Sequence, residues 1–132
     1  MNLIYIVGPL RAENSYLVEQ NVRKAESVSL ELWKLGFAVI CPHMNTRNFV
    51  NVLGDNDKTF LEGDFEMIKR CDGVFCLEGF RKSEGSLAEV KCANVNNVPV
   101  FDEMEIMIEY FRTESKDIFH VNYFNGVTYY VR

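Results

Sequence analysis

The sequence contains no apolar run that approaches the ~20 residues needed to cross a bilayer, so a membrane-spanning helix is not expected. Positive charge is scarce as well. The 14 lysines and arginines against 19 acidic residues give a net charge of −5, which argues against duplex nucleic acid as a partner but not against a mononucleotide. The first residues lack the basic segment and cleavage site of a signal peptide, so we expect a cytoplasmic protein. No CxxC pair occurs, which argues against a metal site and favours free thiols at Cys41, Cys71, Cys76 and Cys92.

Length and turn signals divide the chain into two parts. The 132 residues suffice for a single domain, in which we expect a core of residues 1–112 and a C-terminal hairpin of residues 117–132. In the tail, Asn125-Gly126 stands between two runs of alternating, aromatic-rich residues. This dipeptide is the strongest short signal for a hairpin turn, so the tail is predicted to be antiparallel.

The core begins with a β-α-β pattern. An apolar strand, Leu3–Val7, precedes a helical pattern from Val18 to Leu35 and a second strand, Phe37–Ile40. Two further apolar runs, Val74–Leu77 and Val98–Phe101, add strands, the last with a proline that suits a sheet edge. The sequence therefore predicts an α/β fold with a Rossmann-like or flavodoxin-like parallel sheet of four to five strands, flanked by helices.

Weaker signals place the remaining segments. Residues 43–57 are polar and rich in asparagine without a period, which indicates a loop that could serve as a lid. Helical patterns are predicted at Phe60–Arg70, Ser86–Val95 and Met104–Phe111.

Two short segments have the composition of a ligand site. In Tyr5-Ile6-Val7-Gly8-Pro9-Leu10-Arg11, a strand ends in a Gly-Pro loop that places a cation where a parallel sheet binds ligands. In Ser83-Glu84-Gly85-Ser86-Leu87-Ala88-Glu89, a polar loop enters a helix, so amides that bind anions and a potential nucleophile lie side by side. Together the two segments indicate chemistry on a phosphorylated or hydroxylated small molecule.

Glu89 is the first candidate for a catalytic group, although a structural explanation is also available. Ser86-Leu87-Ala88-Glu89 fits the S-x-x-E capping box, in which the glutamate only closes the helix start. Ser83 and Gly85 favour the functional explanation, because they add a hydroxyl and bare amides at the same point. We expect a carboxylate in this first turn to stay ionised.

Four other residues carry both a structural and a functional interpretation. Asp64 could be an ordinary helix residue or cap, because Gly63-Asp64 interrupts the helical pattern. Arg11 could be a solvated loop cation, but its place just past the first strand favours a ligand role. His43 follows a strand end, where a lone histidine is more often a hydrogen-bonded structural residue. Tyr5 alternates with apolar neighbours and could belong to the core alone.

As a set, these residues resemble the nucleoside 2-deoxyribosyltransferase superfamily, which includes the 2′-deoxynucleoside 5′-phosphate N-hydrolases and small phage and bacterial proteins. The similarity runs from Leu3 to about Phe101. Tyr5-Ile6-Val7-Gly8-Pro9 is similar to the first strand and loop of that superfamily. Asp64 with Cys71-Asp72-Gly73-Val74 is similar to its acidic helix and third strand, and Ser83-x-Gly85-x-x-x-Glu89 to its nucleophile motif.

The resemblance implies a role for each residue. Glu89 would be the nucleophile that attacks the anomeric carbon, Tyr5 would orient it, and Asp64 would bind the sugar hydroxyls or assist the leaving base. The scheme is that of a retaining glycosidase and needs no metal or cofactor. Substrate contacts would come from Gly8, Pro9, Arg11, His43, Ser83, Gly85 and Ser86, and the ligand would be a nucleotide or nucleoside.

The branches of the superfamily differ at a few of these positions. Serine at position 83 and arginine at position 11 are similar to the hydrolases, in which they hold the 5′-phosphate. Pro9 is similar to the transferases, and Pro42-His43 resembles the small phage and bacterial proteins. We therefore expect hydrolysis of a 2′-deoxynucleoside 5′-monophosphate through a covalent glycosyl-glutamate. Base exchange between nucleosides and a non-catalytic nucleotide-binding or sensor protein are the alternatives.

Members of the superfamily are typically dimers, which implies a homodimer or higher homo-oligomer here. The hairpin is the predicted contact surface, because one hairpin cannot bury all of Tyr123, Phe124, Tyr129 and Tyr130.

Overall fold

The computed structural model describes all 132 residues and begins with the predicted β-α-β unit. Strand β1 is Leu3–Val7, helix α1 is Ser15–Lys34 and strand β2 is Ala38–Ile40. The Asn14 side chain caps α1 by accepting a hydrogen bond of 2.9 Å from the Leu17 amide. Gly36, at φ +93°, ends the helix in the left-handed region that glycine tolerates.

A four-stranded parallel sheet forms the centre of the fold. Its strand order is β2-β1-β3-β4, where β3 is Gly73–Cys76 and β4 is Val100–Phe101. Tyr5 of β1 pairs with Ile40 of β2 on one side and with Val74 of β3 on the other. Strand β4 lies at the edge, as predicted, but it begins only after Pro99 and is two residues shorter than the predicted Val98–Phe101. The predicted α/β fold with a parallel sheet is confirmed.

The helices differ in detail from their prediction. Residues 43–57 are not entirely irregular, because α2 covers Pro42–Asn45 and a 3₁₀ turn covers Arg47–Phe49. Helix α3 is Lys58–Ile68, so it begins two residues earlier than its pattern indicates. Helices α4, Glu84–Val95, and α5, Met104–Arg112, complete the core. None of these helices is both long enough and apolar enough to span a membrane.

The alternation of β1 divides the core into two layers. Tyr5 and Val7 face the layer that includes residues of α3, α4 and the C-terminal tail. Ile4 and Ile6 face the opposite layer, with residues of α1 and α5. Because β1 and β3 are central, a polar atom on the Tyr5 face is removed from solvent unless a cleft opens toward it.

The C-terminal tail forms the predicted antiparallel hairpin of strands β5, His120–Phe124, and β6, Val127–Val131. Asn125 and Gly126 both have positive φ, 47° and 83°, which is the type I′ turn that this dipeptide favours. Strand β6 packs on the core, whereas all of β5 is exposed, including Tyr123 at 75%. The dimer surface stays a prediction.

Candidate functional site

A cleft of about 950 Å³ opens at the carboxyl ends of β1 and β3. Its walls come from the loop after β1, the irregular segment before α3, helix α3 itself and the start of α4. This is the edge of a parallel sheet at which α/β proteins bind ligands. A smaller depression of about 450 Å³ on the surface of α5 holds none of the buried polar groups described below.

The Tyr5 hydroxyl lies beneath this cleft as an unpaired polar atom. Tyr5 is fully buried, and no atom meets its hydroxyl in hydrogen-bond geometry. Burial, and after it the negative charges of Glu89 and Asp64, raises the pKa of Tyr5 far above its ordinary value. The hydroxyl therefore keeps its proton and is available as a donor to an ionised carboxylate.

Glu89 lies in the second turn of α4, which corrects the predicted helix start. The helix begins at Glu84, and Ser83 is its cap, with the Ser83 Oγ accepting a bond of 3.2 Å from the Ser86 amide. Ser86 and Glu89 therefore do not form a capping box. The Glu89 side chain reaches the cleft, yet only 8% of the residue is exposed and its Oε2 has no partner.

The expectation that Glu89 stays ionised is also wrong for the free protein. Burial raises the pKa of Glu89 to about 8, the charge of Asp64 acts in the same direction, and the nearby Tyr5 hydroxyl opposes both. The helix dipole cannot offset this, because its effect is confined to the first turn. At neutral pH the Glu89 carboxyl mostly holds a proton.

Asp64 lies close to Tyr5 and Glu89. It lies in the middle of α3, half-buried, and lines the cleft. Burial raises the pKa of Asp64 to about 6, and the Tyr5 hydroxyl again opposes the shift. The pair of carboxyls thus carries about one proton near neutral pH, with Asp64 ionised before Glu89 as the pH rises.

The start of α4 presents polar groups to the cleft. Helix geometry leaves the amides of Glu84 and Gly85 without intrahelical acceptors. A Cβ added at Gly85 would meet no atom within 4 Å, so packing does not require glycine there. Ser83 lines the cleft too, and the buried Ser86 Oγ has no hydrogen-bond partner. This set of donors can bind an anion or a sugar hydroxyl.

The loop after β1 is fixed by close packing at Gly8 and by a hydrogen bond from His43. A Cβ at Gly8 would lie only 2.7 Å from Leu77 Cδ1, so glycine is needed for the close approach of β1 and β3. The His43 Nε2 donates to the Pro9 carbonyl over 3.1 Å, and its Nδ1 has no partner. Burial lowers the pKa of His43, which keeps it neutral. The structure places His43 behind the cleft wall and not in its lining, whereas Gly8, Pro9 and Arg11 line it.

The mouth of the cleft is crossed by an ion pair that the sequence did not indicate. The Arg11 guanidinium binds the Asp57 carboxylate, and Asp57 also accepts a bond of 2.8 Å from the Asn51 amide. Arg11 is thus not free to meet a ligand without competition. The sequence offered only a weak signal for Asp57, which ends the asparagine-rich segment and precedes a helical pattern.

The cleft as a whole is acidic. Its charged lining residues are two cations, Arg11 and Lys82, and four acids, Asp57, Asp64, Glu84 and Glu89. No group of three or more His, Cys, Asp or Glu side chains is placed to hold a metal ion. Phe60 and Leu61 of α3 supply an apolar wall that sequence reasoning missed, and Phe60 stacks on Phe49 at 6.1 Å between ring centroids.

A solved structure of another protein shares this fold. The 2-deoxyribosyltransferase of Bacillus psychrosaccharolyticus is 22% identical over 80% of this chain and 79% of its own, with a TM-score of 0.58. A conserved protein from Enterococcus faecalis V583 is 20% identical over 87% of this chain and 77% of its own, with a TM-score of 0.44. The first likeness confirms the predicted structural resemblance to deoxyribosyltransferases.

No curated protein sequence matches the chain. Residues 2–103 match a family described as a domain of unknown function, DUF7768. The matched segment includes β1, the Glu89 helix and β4 but not the hairpin. Because it covers more than half of the 132 residues, the chain belongs to the DUF7768 family.

Proposed function

We propose that this protein cleaves the N-glycosidic bond of a 2′-deoxynucleoside 5′-monophosphate and releases the free base, with Glu89 as the nucleophile. The observation that carries the proposal is the grouping of Glu89, Asp64 and the unpaired Tyr5 hydroxyl at the cleft. Buried, unpaired polar atoms reduce stability, so the two in the cleft lining, Glu89 Oε2 and Ser86 Oγ, support a ligand that pairs with them. The fold shared with a deoxyribosyltransferase adds support.

The proton shared by Glu89 and Asp64 allows one carboxyl to act as nucleophile and the other as acid. In the free protein Glu89 holds the proton and Asp64 does not, because their pKa values are raised to about 8 and about 6. Moving that proton to Asp64 leaves the net charge of the pair unchanged. The result is an ionised nucleophile that Tyr5 stabilises as a donor, together with a protonated acid.

The first step of the proposed reaction uses both groups. The Glu89 carboxylate attacks the anomeric carbon, the bond from that carbon to the base nitrogen breaks, and the base leaves with the electron pair and the proton of Asp64. The transition state is oxocarbenium-like, and the product is a glycosyl ester of Glu89. In the second step Asp64 accepts a proton from water, which attacks the ester and releases deoxyribose 5-phosphate.

The start of α4 would hold the phosphate. The amides of Glu84 and Gly85 and the Ser83 hydroxyl lie at one end of the cleft, with the cations Arg11 and Lys82 in the same lining. Phosphate oxygens prefer this combination of amides, hydroxyl and guanidinium. Open space at Gly85 fits the close approach of a ligand to the backbone.

A second candidate is base exchange between nucleosides through the same intermediate. The acidic lining favours it, because the carboxylates of Asp57, Asp64 and Glu84 outnumber the two cations and disfavour a dianionic phosphate relative to a neutral nucleoside. In that reaction a second base replaces water as the acceptor. A nucleotide-binding protein without turnover would use the same cleft.

Chromatographic detection of free base distinguishes these functions. The substrates are the deoxynucleosides, the ribonucleosides and their 5′-monophosphates, each with and without a second base. We expect release from monophosphates to fall at least about 10³-fold in Glu89→Gln and to persist in Glu62→Gln, an exposed glutamate of α3 outside the cleft. Mass spectrometry of acid-quenched protein should find the sugar on the Glu89 peptide.

Other outcomes would change the assignment. Release that requires a second base would identify the transferase. Stoichiometric nucleotide binding without any release would exclude catalysis, and an adduct on Asp64 would reverse the two carboxyl roles.

A further inference from the structure

The ion pair between Arg11 and Asp57 belongs to the lining of the same cleft as the proposed phosphate site at the start of α4. Arg11 comes from the loop after β1, and Asp57 is the last residue before α3. Both line the cleft, with 55% of the Arg11 side chain exposed and 18% of the Asp57 side chain. The acid is therefore the more enclosed partner and holds the cation across the mouth.

The carboxylate of Asp57 does not cap helix α3, although Asp57 occupies the cap position. The backbone of Asp57 has φ +62°. Asp55 binds the start of the helix instead, by accepting a bond of 3.1 Å from the Thr59 amide. An aspartate at this position normally caps its own helix, so the geometry here directs its charge toward Arg11 and the Asn51 amide.

This arrangement places a competing carboxylate beside one of the two cations that line the cleft. Only one other cation, Lys82, lines the cleft, and it is exposed. A phosphate that binds Arg11 must either displace the Asp57 carboxylate or bind beside it, where the two negative charges repel each other. A neutral nucleoside meets no such penalty.

We propose that Asp57 is a specificity-determining residue, which competes with the substrate phosphate for Arg11 and so sets the preference of the cleft between nucleoside 5′-monophosphates and nucleosides. The proposal rests on the function proposed above, since it assumes that the phosphate lies near Arg11. Asp57 acts through Arg11 and has no role in bond cleavage. Its effect is therefore on ligand selection.

Calorimetric titration tests this without turnover, in a Glu89→Gln background. The probes are the four 2′-deoxynucleoside 5′-monophosphates, the matching nucleosides and inorganic phosphate. Asp57→Asn removes the charge but keeps an acceptor for the Asn51 amide, and asparagine tolerates the left-handed backbone. Asp55→Asn is the matched control, because it removes the same charge from the same segment and Asp55 does not line the cleft or bind Arg11.

We expect Asp57→Asn to raise the ratio of monophosphate to nucleoside affinity about fivefold to tenfold and to strengthen binding of inorganic phosphate. Asp55→Asn should leave the ratio unchanged. In an Arg11→Gln background Asp57→Asn should have little effect on the ratio, because the guanidinium for which Asp57 and the phosphate compete is absent. Circular dichroism verifies the fold of each variant.

Three results would overturn the proposal: an unchanged ratio in Asp57→Asn, an equal rise in Asp55→Asn, or no binding of phosphate or nucleotide by any variant. Base release is scored separately in the protein with Glu89 intact. A raised ratio without base release would support the role of Asp57 and reject the catalytic proposal, whereas base release with an unchanged ratio would do the opposite.

Discussion

Helix α4 carries polar side chains at both ends, and the two ends differ in how those groups are paired. Near its end, the Asn94 amide donates to the Thr128 carbonyl over 2.8 Å and accepts from the Thr128 amide over 2.7 Å. Toward its start, Glu89 Oε2 and Ser86 Oγ are buried without a partner. The first arrangement attaches strand β6, whereas the second faces the cleft.

The charged side chain of Arg81, which contacts the hairpin, is paired as well. Arg81 binds Asp102 over 2.7 Å, and its guanidinium lies over the rings of Phe80, Tyr129 and Phe124 at 4.5, 5.0 and 5.5 Å from their centroids. A cation between rings and a carboxylate has few unmet contacts. At the cleft, by contrast, the Tyr5 hydroxyl and Glu89 Oε2 are buried with no atom in hydrogen-bond geometry.

The contrast indicates that the start of α4 serves ligand binding and its end serves stability. Each unpaired buried group costs about 1–3 kcal/mol, so the cleft reduces stability and the hairpin contact offsets that loss. The hairpin lies outside the segment that matches the family, residues 2–103. We therefore expect substitutions of the unpaired polar side chains at the cleft to raise stability while they abolish function, and substitutions of the paired side chains at the hairpin to lower stability.

The largest stability effect should come from Glu89→Gln. The native pKa of Glu89 is about 8 and its ordinary value is 4.5, so the native state binds more protons than the unfolded state between those pH values. Wild-type stability must then fall as pH rises through this window, by on the order of a few kcal/mol. Glu89→Gln cannot ionise and should lose that slope.

Urea unfolding of both proteins from pH 5 to 9 measures this difference. Asp64 contributes a similar slope until the pH is about one unit above its pKa of about 6, so the difference above pH 7 reports on Glu89. Exposed Glu62→Gln should follow the wild-type curve. Parallel curves for wild type and Glu89→Gln would mean that Glu89 is not a destabilising carboxyl.

The next effect concerns the cleft wall, whose backbone is tightly packed although its polar groups are unpaired. Gly8→Ala places a methyl group 2.7–3.0 Å from three Leu77 atoms, which should lower the free energy of unfolding by about 1–3 kcal/mol. Gly63→Ala is the control, because its site is open and lies inside α3, where alanine should add about 0.5–1 kcal/mol. Urea unfolding measures both, and similar signs for the two variants would contradict the packing argument.

The sequence predicts the fold well because its signals are local. The alternation of β1, the capped helix α1 and the Asn-Gly turn each depend on neighbouring residues, and all three are present. The start of α4 was predicted wrongly because Ser83 and Ser86 both fit a cap, three residues apart. Only the observed hydrogen bond from the Ser86 amide to the Ser83 Oγ decides between them.

The site was harder to predict because its properties come from contacts distant in sequence. The residues Tyr5, Asp64 and Glu89 could be named, but their burial, and hence the raised pKa values of the carboxyls, depends on how β1, α3 and α4 meet. The Arg11 to Asp57 pair joins residues 46 apart through an irregular segment, where no period fixes the register.

At the hairpin, Asn94→Ala should lower stability by about 1–2 kcal/mol, because the Thr128 amide and carbonyl both lose their partner. Hydrogen exchange of the Thr128 amide should accelerate more than that of residues in β1. Asn96→Ala, which removes an exposed bond to the Cys92 carbonyl, is the matched control and should change little. Equal effects of the two variants would show that the Asn94 bonds do not hold the hairpin.

The smallest effect should come from Arg81→Lys. Lysine keeps the charge beside Asp102 but loses the planar contact with the three rings, and because the Arg81 side chain is 35% exposed the expected loss is about 0.5–1 kcal/mol. Thermal unfolding should show a Tm lowered by about 2–4 °C. Exposed Arg70→Lys, at a residue that pairs with Glu66 of α3 and contacts no ring, controls for the exchange itself. An unchanged Tm would mean that the ion pair with Asp102 alone holds Arg81, and that the aromatic face of the hairpin contributes area but no specific cation contact.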